Sequence, residues 1–94
     1  MAYGITHKFK GGTKEQYDAA VEVVQPDGLP EGQLHHYAGP TDDGWIVVGI
    51  HDTKESWEKF RDETLLPGLQ GLGEKGLPGP PEETTFEVVV EENA

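Results

Sequence analysis

The chain lacks cysteine and has few basic residues, and both shortages limit what it can do. Without cysteine it has no disulfide bond, no thiolate nucleophile and no thiolate metal ligand. Seven lysine and arginine residues stand against 18 acidic ones, which gives a net charge of −11. Because nucleic acids and anionic membranes are bound through basic patches, this balance argues against both as partners.

Long apolar runs are also missing. No segment approaches the roughly 20 apolar residues of a membrane span, and residues 1–10 lack the apolar core of a signal peptide. We therefore expect no membrane partner and a cytoplasmic location. Hydrophobic residues make up 34% of only 94, so the single domain expected over residues 1–94 has a thin core unless a partner subunit covers it.

What is present is a regular alternation of strand and helix patterns, beginning with a strand over residues 3–9. One face of this strand carries Tyr3, Ile5, His7 and Phe9. Thr13 and Gln16 are spaced as a capping box, which predicts that a helix begins there. The helix then places one apolar stripe on a single face, formed by Tyr17, Ala20, Val21 and Val24.

The middle of the chain predicts a hairpin, with strands over 33–38 and 45–50 around a turn at 40–44. Asp52 or Thr53 caps a second helix, which continues past Pro67. The expected stripe of this helix is Trp57, Phe60, Thr64, Leu65, Leu69 and Leu72. Glycine and proline predict a loop without regular structure over 71–81, and a last strand over 84–90 places Phe86, Val88 and Val90 on one face.

The order β-α-β-β-α-β predicts an α+β fold, a ferredoxin-like four-stranded antiparallel sheet with both helices on one face. In the third strand Ile46, Val48 and Ile50 take one side, whereas Trp45 and Val47 take the other. The last strand adds Val89 opposite its main apolar row. A strand that is apolar on both sides is usually buried on both faces of its sheet. Because the helices supply only one cover, we expect a second subunit to supply the other and form a dimeric α/β barrel.

Several short sequence segments resemble those of one known group of proteins. They are Phe9-Lys10-Gly11-Gly12-Thr13, Leu29-Pro30-Glu31-Gly32, His36-Tyr37-Ala38-Gly39-Pro40, Gly44-Trp45 and Trp57-Glu58-Lys59-Phe60. With the element order, they make the chain similar to the dimeric α/β-barrel superfamily, in particular to small domains like antibiotic biosynthesis monooxygenases. The resemblance implies a homodimer with a cavity between helices and sheet. That superfamily includes cofactor-free oxygenases, haem-degrading enzymes, isomerase-like enzymes and domains without assigned activity, so no substrate is implied.

Two histidines are the candidate bases, since imidazole titrates near neutral pH. His7 lies on the apolar face of the first strand. His36 joins it if Leu34, His36 and Ala38 share a face with Ile46, Val48 and Ile50, whereas a one-residue slip brings in His35 instead. Tyr17, on the core stripe, is the candidate hydrogen-bond donor. Simple core packing is the alternative for all three residues.

Other residues have expected places around the same cavity. Trp57, Phe60 and Val48 are expected to line it, while Trp45 and Tyr37 are expected on the opposite face at the dimer interface. His51 is interpreted as a loop or capping residue at the end of its strand. No metal or cofactor is expected, because no ligand motif is present and His35 and His36, adjacent in a strand, point to opposite faces.

Two functional hypotheses follow. In the first, the chain is an enzyme like the cofactor-independent monooxygenases: His36 or His7 deprotonates a small apolar or aromatic molecule, whose anion reacts with dioxygen, and Tyr17 donates to the developing oxyanion. In the second, it is a non-catalytic dimeric domain that binds a small apolar metabolite or serves in assembly. A reachable cavity and a displaced imidazole pKa favour the enzyme, whereas a filled core favours the binding domain.

Overall fold

A computed structural model describes residues 1–94 as a four-stranded antiparallel sheet with helices packed against one face. The strands are β1 Tyr3–Lys10, β2 Gln33–Thr41, β3 Gly44–His51 and β4 Glu82–Glu87, in the order β2-β3-β1-β4. The helices are α1 Lys14–Val24, α2 Lys54–Phe60 and α3 Leu66–Leu72. A π-helical turn, Arg61–Leu65, joins α2 to α3. The predicted ferredoxin-like fold is confirmed. No helix is long and apolar enough to cross a membrane.

The first helix begins where the capping box predicts. The Thr13 hydroxyl accepts a hydrogen bond from the backbone N–H of Gln16, and the Gln16 side chain accepts one from the backbone N–H of Thr13. These two bonds give acceptors to backbone N–H groups that would otherwise be unpaired at the start of the helix. Ala20 and Val24 are the buried residues of this helix, and Tyr17 is its fourth residue.

The residues of β3 that face the helices are not the ones that the sequence pattern predicts. Ile5 and Phe9 of β1 are buried, as the alternation predicts. The register pairs β1 with β3 so that Phe9 lies opposite Trp45 and His7 opposite Val47. Paired residues share a face, so Trp45 and Val47 lie on the helix side. The other row of β3 therefore faces away from the helices: Ile46, Val48 and Ile50. The predicted assignment of β3 is thus wrong, because pairing with β1 fixes its face.

The strand β2 contains a bulge at Leu34. Gln33 pairs with His51, but the next paired residue is His35, opposite Ile50. In a regular strand, residues three apart point to opposite faces. The extra residue in the bulge instead puts Gln33 and His36 on the same, helix-facing side. Leu34 itself is half exposed and does not share the regular row with His36.

The stripe of the second helical segment is rotated by the π turn. The backbone N–H of Leu66 donates to the carbonyl of Arg61, five residues earlier, just before Pro67, which has no N–H to give. The wide turn brings Arg61 and Leu66 to the cavity side, whereas Thr64 faces a polar cleft on the other side of the helix. The prediction for Thr64 is therefore wrong.

The last third of the chain departs from the prediction at both ends of the expected loop. Residues 71 and 72 belong to α3, and a short 3-10 turn, Gly73–Lys75, follows. β4 begins earlier than expected and ends at Glu87, so Val88 and Val90 lie outside the strand. Val89 is 74% exposed and covers no face of the sheet. Only the first part of the apolar row predicted here, Phe86, belongs to the sheet.

Candidate functional site

A cavity of about 360 Å³ lies between the helix-facing side of the sheet and the helices. Its wall is mostly hydrophobic, with residues from all four strands, from the three helices and from the π turn. Both candidate histidines, His7 and His36, line it, as does Tyr17. Small-molecule sites have volumes of about 300–1,000 Å³ and mainly apolar walls with a few polar groups, so this cavity has the size and character of a binding site.

Tyr17 and His36 form the shortest polar contact of the cavity wall. The Tyr17 Oη lies 2.6 Å from His36 Nε2, a distance typical of a strong hydrogen bond. α1 supplies the tyrosine and β2 the histidine. The Tyr17 ring also packs against Trp45, with 5.3 Å between ring centroids. Trp45 is therefore part of the support beneath the candidate site and not of the opposite face, where the sequence pattern placed it.

Gln33 joins His36 to a second histidine, His51. The Oε1 atom of Gln33 lies 2.8 Å from His36 Nδ1, and its Nε2 atom lies 3.1 Å from His51 Nε2. His51 is completely buried, at 0% exposure, and its Nδ1 lies 3.2 Å from the Ser56 hydroxyl. The result is a continuous polar chain of five side chains, which we call the polar chain: Tyr17, His36, Gln33, His51 and Ser56.

Gly32 makes room for the far end of the polar chain. Its φ of +87° lies in the left-handed region that favours glycine. A Cβ atom at this position would collide with the Ser56 hydroxyl. The backbone carbonyl of Gly32 also accepts a hydrogen bond from the N–H of Asp52, at 2.8 Å. A glycine at this turn therefore allows the β2–β3 hairpin to sit close to the first turn of α2.

Burial shifts the acidity of three members of the polar chain. Burial lowers the pKa of His36, and it also lowers that of His51, although the nearby charge of Asp52 opposes the change. Burial raises the pKa of Tyr17, and the charge of Asp18 adds to the effect. At neutral pH both imidazoles are therefore neutral and the phenol is protonated. A neutral imidazole is the form that accepts a proton.

His7 has a different partner. Its Nε2 lies 2.7 Å from the carboxylate of Glu83 on β4. The ring also packs near Trp57 and Phe9, with centroid distances of 5.7 and 6.1 Å. His7 and His36 thus line one cavity, but His7 is bound to an acid at the β4 edge and is not part of the polar chain.

The aromatic walls of the cavity are Trp57 and Phe60, as expected from the stripe of α2. Both rings pack on His51, with centroid distances of 5.7 and 5.9 Å. Val48 does not line the cavity, because it points to the open face of the sheet; Val47 takes that place. No group of three or more histidine, aspartate or glutamate side chains is arranged to hold a metal ion.

Sequence reasoning missed Gln33, His51 and Ser56. The signal for His51 was present, since it continues the alternating row of Trp45, Val47 and Gly49 to the end of β3. For Gln33 there was no such signal, because a regular strand would turn it away from His36. Ser56 lies inside a helix, where a serine by itself indicates no role.

Known structures share this fold, although sequence comparison does not connect the chain to them. No protein-family model matches the chain, and no curated protein matches it significantly. A provisionally named antibiotic biosynthesis monooxygenase from Chloroflexus aurantiacus has a TM-score of 0.68 and 16% identity, covering 99% of this chain and 98% of its own. Rv0793 from Mycobacterium tuberculosis has a TM-score of 0.73 and 13% identity, with 99% and 100% covered.

A third structure, another provisionally named antibiotic biosynthesis monooxygenase, is from Deinococcus radiodurans. It has a TM-score of 0.67 and 12% identity, covering 100% of this chain and 98% of its own. The chain has the fold of these domains. At such low identities the likeness extends over the whole backbone but carries no substrate or reaction with it.

Proposed function

We propose that this chain is a cofactor-independent oxygenase for a small apolar or aromatic molecule. The observation that supports this most is the Tyr17–His36 hydrogen bond of 2.6 Å in the wall of an apolar cavity. It joins a proton acceptor to a proton donor at one point of a cavity otherwise suited to a hydrophobic ligand. Two of the three structural neighbours bear the name antibiotic biosynthesis monooxygenase, which favours the same class of reaction.

In this proposal His36 is the base and Tyr17 the group that touches the substrate. A substrate with an acidic C–H or O–H gives its proton to Tyr17 Oη as the phenol passes its own proton to His36 Nε2. The tyrosine O–H then donates a hydrogen bond to the new anion, which stabilises the charge formed in the transition state. His7 is less suited to the role, because Glu83 occupies its Nε2.

The anion then reacts with dioxygen, which is the oxidant. For a substrate methylene group, a carbon–oxygen bond forms between the carbanion and dioxygen and gives a peroxide. The second C–H proton then passes to the outer peroxide oxygen as the O–O bond breaks, so that the carbon becomes a carbonyl and hydroxide leaves. The hydroxide takes the proton from His36 and becomes water. Substrate and dioxygen thus yield a ketone and water, with the base regenerated. Trp57 and Phe60 would keep solvent from the anion.

Dimerisation is part of the proposal. The open face of the sheet carries Ile46, Val48 and Ile50 in a row, beside Tyr37, which is 61% exposed, and Phe86, which is 43% exposed. Contiguous exposed apolar residues on a soluble chain favour an interface. Native mass spectrometry is expected to give the mass of two chains. A monomer at micromolar concentration would contradict this part of the proposal.

The reaction itself is tested with anthrone, whose methylene group lies between two aromatic rings. The expected result is dioxygen uptake and, with isotopically labelled dioxygen, one labelled oxygen in the ketone product. His36→Gln is expected to lower kcat/KM by about 10²–10⁴-fold, the usual contribution of a general base. His35→Gln is the matched control, since His35 is adjacent in sequence but stacks on Tyr37 at the open face. Equal activity in the two variants would contradict the role of His36, and binding without dioxygen uptake would favour a binding domain.

A further inference from the structure

We propose that Gln33 determines which of two histidines, His36 or His51, takes the proton. Its carbonyl oxygen prepares His36 to act as the base, and its amide N–H group keeps His51 neutral. As a role in catalysis this rests on the proposed function, in which His36 is the base. The choice between the histidines is nevertheless a property of the folded chain and needs no substrate.

The two ends of the glutamine amide have opposite hydrogen-bonding roles. An amide oxygen only accepts hydrogen bonds, and an amide nitrogen only donates them. Gln33 Oε1 lies 2.8 Å from His36 Nδ1, so that nitrogen carries a hydrogen. Gln33 Nε2 lies 3.1 Å from His51 Nε2, so that nitrogen carries none. One side chain thus sets the tautomers of both rings.

For His36, this arrangement leaves the lone pair of Nε2 directed at the Tyr17 hydroxyl. When the ring takes up a second proton, the hydrogen on Nδ1 keeps its bond to Gln33, and the new hydrogen on Nε2 bonds to the Tyr17 oxygen. Protonation of His36 therefore keeps both hydrogen bonds of its ring. The charge of Asp18, one residue after Tyr17, acts on the phenol, and Glu83 and Arg61 also line the cavity.

For His51, the same proton is unfavourable. Its Nδ1 hydrogen already bonds to Ser56, so an added proton would go to Nε2 and meet the amide N–H of Gln33. Two donors would then face each other around a ring that is 0% exposed, with Trp57 and Phe60 packed on it. Asp52, the charged neighbour of the ring, favours protonation, but it offers Nε2 no acceptor. The buried unpaired donor is the larger cost.

The bulge at Leu34 is what makes this choice available. Without it, Gln33 and His36 would point to opposite faces, and no side chain would link the two histidines. Ser56, which accepts from His51, also lines the polar cleft formed with Glu31, Asp52 and Glu63. The far end of the polar chain therefore meets solvent at the cleft, while its near end, Tyr17, meets the cavity.

The first test is nitrogen NMR of the histidine rings in the full-length chain without substrate. We expect the Nδ1–H tautomer for both His36 and His51 at pH 7.5, and on acidification His36 takes up a proton at higher pH than His51. The Nε2–H tautomer at both rings would mean that the amide is reversed and would overturn the proposal. Protonation of His51 first, or of both rings together, would overturn it as well.

The second test changes one end of the amide. Gln33→Glu replaces the N–H donor by an oxygen with little change in shape, so His51 gains an acceptor for an Nε2 hydrogen. The carboxylate charge favours protonation of both rings, but only His51 also exchanges a facing donor for an acceptor, so its pKa is expected to rise by about 1 or more and by more than that of His36. Gln25→Glu is the control, since Gln25 lines the same cavity without a hydrogen bond to either histidine. An equal response of His51 in the two variants would contradict the role of Gln33.

These measurements separate the two proposals. If anthrone is not oxidised but the rings behave as expected, the oxygenase proposal fails and the control of the histidines by Gln33 stands. If anthrone is oxidised and His36 is required, Gln33→Glu is also expected to shift the acid limb of the pH profile of kcat/KM. An unchanged profile together with unchanged tautomers would leave Gln33 as a structural residue only.

Discussion

The two faces of the sheet differ in what their apolar residues contact. The helix-facing side buries Ile5, Phe9 and Trp45, and it also holds His51 and the rest of the polar chain. The open side carries Ile46, Val48 and Ile50 of β3, only partly buried, with Phe86 packed over Gly4. A Cβ atom at Gly4 would collide with the Phe86 ring, so glycine lets this ring lie flat on the strand.

This contrast shows that the more apolar row of a strand is not always the one that its own helices cover. On β3 the helix side contains a tryptophan, a valine, a glycine and a histidine, while the open side is aliphatic throughout. Large rings with polar atoms suit the wall of a cavity, because each ring provides an apolar surface and a hydrogen-bonding group. An aliphatic row needs only a second flat surface, which a partner sheet supplies.

The largest expected effect is on the helix side. Trp57 is 4% exposed and contacts the rings of His7, His51 and Phe60. Trp57→Ala is expected to lower the free energy of unfolding by about 3–5 kcal/mol, since it leaves a large cavity in the core. Urea unfolding at several protein concentrations measures this. Tyr37→Ala, on the open side, is the comparison, and equal losses at low concentration would contradict the difference between the faces.

The next effect concerns the open side. Val48→Asp places a charge in the middle of the proposed interface and is expected to weaken dimerisation by at least about 2 kcal/mol, or about thirtyfold in Kd. Sedimentation measurements would show the shift to monomer. Val23→Asp, at a half-exposed position on α1, is the matched control. If both variants keep the wild-type mass, the open face is not the interface.

The smallest effect is the pH dependence of stability between pH 7.5 and 5.5, which we expect to come from the helix side. Burial lowers the pKa of His36 and His51 from their ordinary value of 6.5, so the unfolded chain binds more protons below that pH. The stabilisation is complete above pH 6.5 and is lost as the pH falls toward the folded values. The expected decrease is at most about 1.4 kcal/mol per pH unit for each histidine. Urea unfolding at pH 7.5 and 5.5 measures it.

The control for this prediction is a chain with His36 and His51 both replaced. His36→Gln combined with His51→Gln is expected to flatten the dependence between pH 7.5 and 5.5. A slope as steep as that of the natural chain would assign the acid sensitivity to other groups.

Much of the fold could be predicted because it depends on neighbours in the sequence. The capping box at Thr13 and Gln16 and the alternation of β1 each depend on a few adjacent residues, and the structure contains both. The site was predicted less completely. Tyr17, His36 and His7 do line one cavity, but Gln33 enters it only through the Leu34 bulge, and Val48 leaves it because β1 sets the register of β3.

The sequence by itself determined the order of strands and helices, the acidic surface, the absence of thiol chemistry and the inward face of β1. Those features follow from composition and from periodicity along a single segment. The tertiary structure decided which face of β3 meets the helices, how the π turn rotates the stripe after α2, and how five side chains join into the polar chain. Strand register and hydrogen bonding between distant residues are properties of pairs of segments, so no single segment encodes them.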